Sequence, residues 1–386
     1  MVQNHATAAE DSGDIRYIEA APNPTRFARG WHCLGPVKEF DDGKPHQINA
    51  FGTSLVAFAD SKGTIRILDA YCRHLGGNLA DGTVKGDAIA CPFHGWEWGA
   101  NGRCKNIPYA RRVPPLAKTR RWHTTQLHGH LFVWNDPQGN PPIESEAIPE
   151  IAEYSSGEYT DWVWHRVVID GSNCREIVDN VVDMAHFFYI HYTFPLYFIT
   201  IFEDHVARQV MHARARDDVS VGTNYNENNV LYNDASYFGP SYMISKAFHT
   251  EEMDKPSTFL INCHYPVSEN SFVLQWGVSI RKPPGMSPEE TDAFARVQAD
   301  GVTAGFMQDV VIWQNKAKID NPLLSEEDGP VYQLRRWYQQ FYVDVDDVQE
   351  DMTNRFEFEI DTTRAVQSWE AEVAENIANG HYIITE

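Results

Sequence analysis

The sequence predicts an α+β protein whose first third is all-β and whose remainder mixes sheet and helix. Short β-forming runs separated by turn residues fill the stretch from Trp31 to Pro142. A connector rich in proline and glutamate then runs from Asp136 to Ile151. Beyond the connector, two apolar β runs precede one long helical segment. We therefore expect two domains in one chain.

The first third is most simply a small all-β domain. Its β runs lie at 54–60, 64–72, 87–93 and 130–136. The Asn101-Gly102 pair indicates a hairpin turn. We expect an N-terminal tail at 1–28, a first domain at 29–145 and a second domain at 146–386.

The second domain has its own strands and one long helix. Three β runs lie at 162–170, 257–267 and 271–280. Ser287 and Glu290 form the S-x-x-E pattern of a capping box, which predicts that a long helix begins there. Gly301 and Gly305 are its weak points.

Composition and charge exclude several classes of partner. The 386-residue chain has 32 basic and 54 acidic side chains and a formal net charge of -22, which argues against nucleic acid or an anionic membrane surface as the partner. We find neither a signal peptide nor an apolar run of membrane-spanning length. The six cysteines are too sparse for a secreted disulfide framework, so a cytoplasmic location is expected.

Cys72, His74, Cys91 and His94 form a paired metal-ligand pattern, C-x-H followed by C-x-x-H. Two thiolates and two imidazoles suit either zinc or a [2Fe-2S] cluster. Glycines follow each pair, which favours the cluster because they let two loops approach each other closely. The loops CRHLGG and CPFHGW resemble the Rieske centre. The remaining cysteines are expected to be small buried hydrophobic residues, at positions 33, 104, 174 and 263.

A second polar cluster lies in DNVVDMAHFFYIH, residues 179–191. His186 and His191, with a carboxylate from elsewhere, suit the 2-His-1-carboxylate face that binds non-haem Fe(II). Residues five apart point about 140° away from each other on an ideal helix. We therefore expect the helix to bulge or end between the two histidines. Asp183 lies one turn before His186 and suits a partner of that ligand better than a ligand itself.

Asp309 is the best candidate for the carboxylate ligand. Phe306 and Trp313 flank it at minus three and plus four, so one helix face presents a carboxylate between two aromatic side chains. The alternative from spacing alone is that Asp309 faces water.

The chain from Trp31 onward resembles the Rieske non-haem iron oxygenases, and within them the oxygenase components of 3-ketosteroid 9α-hydroxylases. The segments at 180–195 and 308–316 and the two Cys/His loops carry this resemblance. It implies a helix-grip catalytic domain, in which an antiparallel sheet wraps a long C-terminal helix. It further implies a [2Fe-2S] cluster on the paired Cys/His ligands, a mononuclear Fe(II) held by His186, His191 and Asp309, and an electron bridge at Asp183.

The same resemblance implies a reaction and its partners. O2 is the co-substrate, and NADH supplies electrons through a separate reductase that carries flavin and its own iron-sulfur centre. The product is a 3-ketosteroid hydroxylated at C9, formed by a head-to-tail homotrimer. The family's positions in the pocket for this apolar steroid map onto Gln209, Tyr237, Met243, Asn262, Phe306 and Trp313. Two alternatives remain open: a Rieske oxygenase that dihydroxylates or demethylates another apolar or aromatic compound, and a Rieske electron carrier.

Overall fold

The structure is a computed structural model that describes residues 16–219, 230–249 and 254–383. Three antiparallel sheets, one parallel two-stranded sheet and five α-helices make up the regular structure of these residues. In chain order the strands of the N-terminal part are β1 (Tyr17–Ile18), β2 (Gly30–Pro36), β3 (His46–Ala50), β4 (Thr53–Ala59), β5 (Ile65–Asp69), β6 (Thr83–Lys85), β7 (Ala88–Ala90), β8 (Glu97–Gly99), β9 (Cys104–Asn106), β10 (Arg121–Leu127) and β11 (His130–Asn135).

Two antiparallel sheets form the N-terminal part, as the β runs predict. The larger has the strand order β2-β11-β10-β5-β4-β3, and the smaller has the order β6-β7-β8-β9. Gly102, at φ 77°, turns the chain between β8 and β9, which confirms the predicted hairpin. The predicted run at 87–93 shortens to β7 because Cys91 leaves the sheet for a loop.

The C-terminal part is built on an eight-stranded sheet. Its elements are β12 (Val163–Asp170), α1 (Arg175–Val178), α2 (Ala185–Tyr189), β13 (Thr193–Glu203), β14 (Val206–Ala215), β15 (Leu231–Phe238), β16 (Tyr242–His249), β17 (Thr258–Ser268), β18 (Ser271–Ile280), α3 (Pro288–Asn315), β19 (Lys318–Ile319), α4 (Val331–Gln339), β20 (Phe356–Glu359) and α5 (Thr363–Ala378). The sheet order is β12-β18-β17-β16-β15-β14-β13-β20, and every neighbouring pair is antiparallel.

The long helix α3 lies on one side of this sheet, over β12 and β18. Ser287 caps it: its side chain accepts from the Glu290 N–H, and the Glu290 side chain accepts from the Ser287 N–H, as the capping box predicts. Phe306 of α3 stacks on Trp276 of β18 with ring centroids 5.0 Å apart. The stacked rings anchor the middle of the helix to the sheet. The α+β class with a sheet against a long helix is therefore confirmed.

The N-terminal segment joins the two parts of the chain. β1 pairs in parallel with β19, which follows α3 directly. Arg29 is buried, and its guanidinium donates to the carbonyl of Val343 at 2.9 Å. Phe27 packs against the core of the larger N-terminal sheet. Residues 16–29 therefore contact both the N-terminal and the C-terminal part of the chain.

The helical segment before α2 is fixed from outside. Asp179 lies in a short 3-10 turn between α1 and α2, and both of its carboxylate oxygens accept from Arg335 of α4, at 2.6 and 3.2 Å. This bidentate pair is partly buried. Asp179 therefore anchors the segment that leads into α2. Among the residues described, no helix is long and apolar enough to cross a membrane.

Gly277 offers a test of the packing between β12 and β18. A Cβ added there would lie 2.3 Å from the ring of Trp164, which pairs with Gly277 across the two strands. We expect Gly277→Ala to lower the free energy of unfolding by about 1–3 kcal/mol through overpacking.

The matched control is Gly301→Ala on α3, where no atom lies within 4 Å of the added Cβ. Alanine there is expected to stabilise the helix by about 0.5–1 kcal/mol. Thermal unfolding followed by circular dichroism measures both variants, and an unchanged midpoint for Gly277→Ala would contradict the packing described.

Candidate metal centres

Two loops with the same backbone pattern carry the paired cysteine and histidine residues. In each loop the cysteine N–H donates to the carbonyl five residues later, at 2.8 Å for Cys72 and 2.9 Å for Cys91. In each, a glycine four residues after the cysteine donates back to its carbonyl, at 2.9 Å. These glycines, Gly76 and Gly95, have φ angles of 76° and 72°, a region that glycine adopts without strain. The repeated turn presents each cysteine–histidine pair in the same way.

The four candidate ligands of these loops come together at one end of the N-terminal part. The rings of His74 and His94 lie 4.8 Å apart, and both cysteines are buried. A Cβ added to Gly77 would lie 2.8 Å from Cys91 Sγ, so only glycine permits this approach of the loops. Two thiols and two imidazoles that meet at the contact of two loops fit the donor set of a Rieske [2Fe-2S] cluster.

Tryptophans that the sequence analysis did not single out surround this donor set. Trp98 donates through Nε1 to Cys72 Sγ at 3.2 Å. Trp96 stacks on His74, with ring centroids 4.5 Å apart, and its Nε1 donates to the Tyr109 hydroxyl at 2.8 Å. Burial raises the pKa of the Cys72 thiol, and hydrogen bonds from the His74 N–H and Trp98 oppose that rise without outweighing it. Metal binding would replace the thiol proton.

The second candidate centre brings together His186, His191 and Asp309. One ligand atom from each lies within 4.8 Å of the others. His191 Nε2 and Asp309 Oδ2 are 3.1 Å apart, and the two imidazole centroids are 5.1 Å apart. The helix α2, the residues just after it and the helix α3 supply these groups, and 118 residues separate His191 from Asp309 in the chain. The arrangement fits the 2-His-1-carboxylate face that binds non-haem Fe(II) and leaves other positions open.

The end of α2 lets its two histidines converge. The Ile190 N–H donates to the His186 carbonyl at 2.7 Å and completes the last helical bond. His191 then lies outside the helix, and Tyr192 has a φ angle of 52° before β13 begins. The predicted helix break between the histidines is therefore confirmed.

A hydrogen bond to Asp183 orients the ring of His186. Nδ1 lies 2.6 Å from the Asp183 main-chain carbonyl, which only accepts, so Nδ1 carries the proton. Nε2 is then left with the lone pair that a metal ligand uses. Burial lowers the pKa of His186, but the hydrogen bond and charge of Asp183 and the charge of Asp309 outweigh burial and raise it overall.

The Asp183 carboxylate faces outward, although the main-chain carbonyl of the same residue accepts a hydrogen bond from the largely buried ring of His186. Oδ1 accepts from the His186 main-chain N–H at 3.2 Å, and the Asp183 side chain is 45% exposed. Burial raises the pKa of this carboxyl, but interactions with His186 outweigh it and lower the pKa overall. The carboxylate is therefore both linked to a candidate iron ligand and accessible from outside the chain.

Asp309 reaches the centre from the face of α3 that turns to the sheet. Its side chain is largely buried, as is Trp313 one turn later. Trp313 belongs to an apolar cluster with Val310 and Ile169, and Phe306 packs against the same cluster. Gly305 of α3 lies beside His191, because a Cβ added there would be 3.9 Å from His191 Nδ1, an ordinary contact distance.

The other pocket candidates share one face of the eight-stranded sheet. Tyr237 pairs with Met243, Met243 with Asn262, and Asn262 with Trp276, the ring that stacks on α3. Gln209 lies two positions along the same face, opposite Ala235. Paired residues of antiparallel strands point to the same side, so these candidates face the helices that hold His186, His191 and Asp309.

Several polar atoms on this face are buried without a hydrogen-bond partner among the described residues, and they include Gln209 Nε2, Asn262 Oδ1, Thr200 Oγ1 and His165 Nε2. Thr200 lies directly opposite Gln209 and was not predicted from the sequence. Buried polar groups are normally paired, so these atoms indicate a place where a bound molecule supplies the partner.

Comparisons with known proteins show the family to which the chain belongs. A family model of the 3-ketosteroid 9alpha-hydroxylase C-terminal domain matches residues 133–342, and one of the Rieske [2Fe-2S] domain matches residues 30–117. A 3-ketosteroid-9-alpha-monooxygenase oxygenase component from Rhodococcus rhodochrous is 64% identical over 373 residues, which cover 96% of each chain. The protein of that name from Mycobacterium tuberculosis is 58% identical over 94% of each chain.

A solved structure of dicamba monooxygenase shares the fold. Its TM-score is 0.65 at 19% identity, and the match covers 82% of this chain and 98% of that one.

Removing the Asp309 carboxylate tests the second centre. We expect Asp309→Ala to lower the iron content of the purified protein from about three to about two atoms per chain, with the visible spectrum of the cluster unchanged. Asp300→Ala, on the exposed side of the same helix, is the matched control and should keep all its iron. Full iron occupancy in Asp309→Ala would remove this residue from the ligand set.

Proposed function

The chain belongs to the 3-ketosteroid 9α-hydroxylase oxygenase family, and we propose that it hydroxylates 3-ketosteroids at C9 as the oxygenase component of a multicomponent monooxygenase. The observation that carries the proposal is the convergence of His186, His191 and Asp309 inside the region that the family model covers. A separate reductase passes electrons from NADH to this component.

We assign the two centres to the residues that fit them. Cys72, His74, Cys91 and His94 would hold the [2Fe-2S] cluster, and Nε2 of His186 with His191 and Asp309 would hold Fe(II). When bound, the cluster supplies electrons and the mononuclear iron activates O2 for insertion into a C–H bond. These ligands divide between a first domain at 29–145 and a second at 146–386.

The chain's own residues position the reacting parts. The Asp183 carbonyl holds the His186 proton on Nδ1, and the exposed Asp183 carboxylate is free to accept a hydrogen bond from a cluster histidine of another copy. The Trp276–Phe306 stack closes one side of the site against water. The helix α2 is anchored beside the site by Phe188, which is buried in an apolar cluster with Phe194 and Trp369.

The pocket face suits a flat molecule that is apolar except for its carbonyl groups. Tyr237 and Met243 offer apolar surface, and Thr200 and Gln209 offer two unpaired donors side by side. Donors in a buried site favour a carbonyl oxygen because that oxygen accepts two hydrogen bonds. The 3-keto group of a steroid meets this requirement, whereas an anionic ligand would conflict with the acidic chain.

We further propose that copies of the chain assemble into a head-to-tail homotrimer, and exposed side chains beside the two centres support this. Large apolar side chains are exposed within three residues of the cluster ligands, at Leu75 and Phe93. Others are exposed within two residues of the iron ligands, at Tyr189, Met307 and Val311. Exposed apolar side chains beside two different centres of one chain suit a ring in which one centre's surface contacts the other centre's surface on the next copy. We place this assembly in the cytoplasm.

A substrate panel tests the proposed function. With the reductase and NADH supplied, O2 consumption should depend on 3-ketosteroids, and mass spectrometry should find one added oxygen located at C9. Comparing the rates of O2 consumption with steroids that differ at C17 then shows which of them is the preferred substrate. Oxygen consumption coupled to an aromatic compound but to no 3-ketosteroid would favour another Rieske oxygenase reaction.

Asp183→Asn tests the proposed bridge. Asparagine keeps the main-chain carbonyl that orients His186 but removes the carboxylate charge. We expect both metals to stay bound while kcat falls by about two orders of magnitude or more. Asp161→Asn, an exposed carboxylate on the same part of the chain, is the control. Turnover at the wild-type rate in Asp183→Asn would exclude the bridge.

A further inference from the structure

Trp98 makes a contact that distinguishes one cluster cysteine. Its indole Nε1 lies 3.2 Å from Cys72 Sγ, and the Trp98 side chain is completely buried. An indole N–H only donates, so in this dry setting it needs an acceptor. The sulfur of Cys72 is the acceptor that it has.

The surrounding strands fix the direction of this hydrogen bond. Trp98 is the middle residue of β8, where it pairs with Ile89 of β7 on one side and Cys104 of β9 on the other. Its ring packs in the same apolar cluster as Cys72 and Cys91. Because two strand neighbours and the apolar cluster hold the Trp98 ring in place, its N–H points at the sulfur whether the iron-sulfur cluster is oxidised or reduced.

A donor aimed at a cluster sulfur favours the state with more negative charge on that sulfur. Reduction adds one electron to the cluster, and part of its charge falls on the thiolates. In a buried site of low polarity this interaction is strong, and hydrogen bonds to the sulfurs are among the features that set cluster potentials.

We propose that Trp98 is a positioning residue that raises the reduction potential of the Rieske cluster through its hydrogen bond to Cys72 Sγ. The inference rests on the proposed function, because it takes the cluster to be held by Cys72. Trp98 thereby adjusts how readily the cluster accepts electrons from the reductase.

Trp98→Phe removes the N–H and keeps an aromatic ring. Redox titration of the purified protein, followed by circular dichroism and electron paramagnetic resonance, gives the midpoint potential without any turnover. At the wild-type midpoint we expect the ratio of reduced to oxidised cluster to fall about tenfold, which for a one-electron couple is about 59 mV. Benzothienylalanine at position 98, which replaces the N–H by sulfur in a ring of the same shape, should give the same shift.

Trp134→Phe is the matched control. Trp134 is another buried tryptophan of the N-terminal part, but its N–H donates to the Asn140 carbonyl, and its ring does not belong to the apolar cluster that holds Cys72 and Cys91. At the wild-type midpoint, the ratio of reduced to oxidised cluster in Trp134→Phe should change by less than twofold.

The outcomes separate the two claims. Wild-type protein with no cluster signal would contradict the proposed function itself. A full cluster signal with an unchanged midpoint in both position-98 variants, or an equal shift in Trp134→Phe, would overturn the role of Trp98.

Discussion

The hydrogen bond from His186 Nδ1 to the Asp183 carbonyl is the interaction on which the catalytic centre depends. At 2.6 Å it fixes the proton on one ring nitrogen and leaves the other for a metal. The bond uses the main chain of Asp183, and the carboxylate of the same residue, which accepts from the His186 main-chain N–H, is 45% exposed. One residue therefore orients the ring of a candidate iron ligand from the inside and presents a carboxylate on the outside.

Each centre takes ligands from a segment where regular structure stops. The cysteine loops follow β5 and β7 and turn at left-handed glycines, and α2 ends two residues before His191. Ligands inside a continuous helix or strand point in directions set by its period, so convergence on one atom requires such endings. Rigid elements then hold the endings in place: α3 is stacked on the sheet, and Asp179 ties the segment before α2 to Arg335.

Local patterns in the sequence predict much of this arrangement. The Cys/His spacing, the Asn101-Gly102 hairpin, the capping box at Ser287 and the helix break each depend on a few neighbouring residues. The contacts that escape prediction join distant parts of the chain. Trp98 meets Cys72 through strand register, Thr200 meets Gln209 across a sheet, and Arg335 reaches Asp179 over 156 residues. A pattern of single residues carries no signal for such pairs.

Co-expression of two inactive variants tests most directly the claim that the Asp183 contact joins centres on different copies. Asp309→Ala lacks the iron site, and Cys72→Ser lacks the cluster. In mixed rings about one donor–acceptor pair in four joins an intact cluster to an intact iron site, so we predict about a quarter of the wild-type rate of steroid hydroxylation. No hydroxylation by mixed rings, in a preparation where each variant keeps its other metal, would contradict transfer between copies.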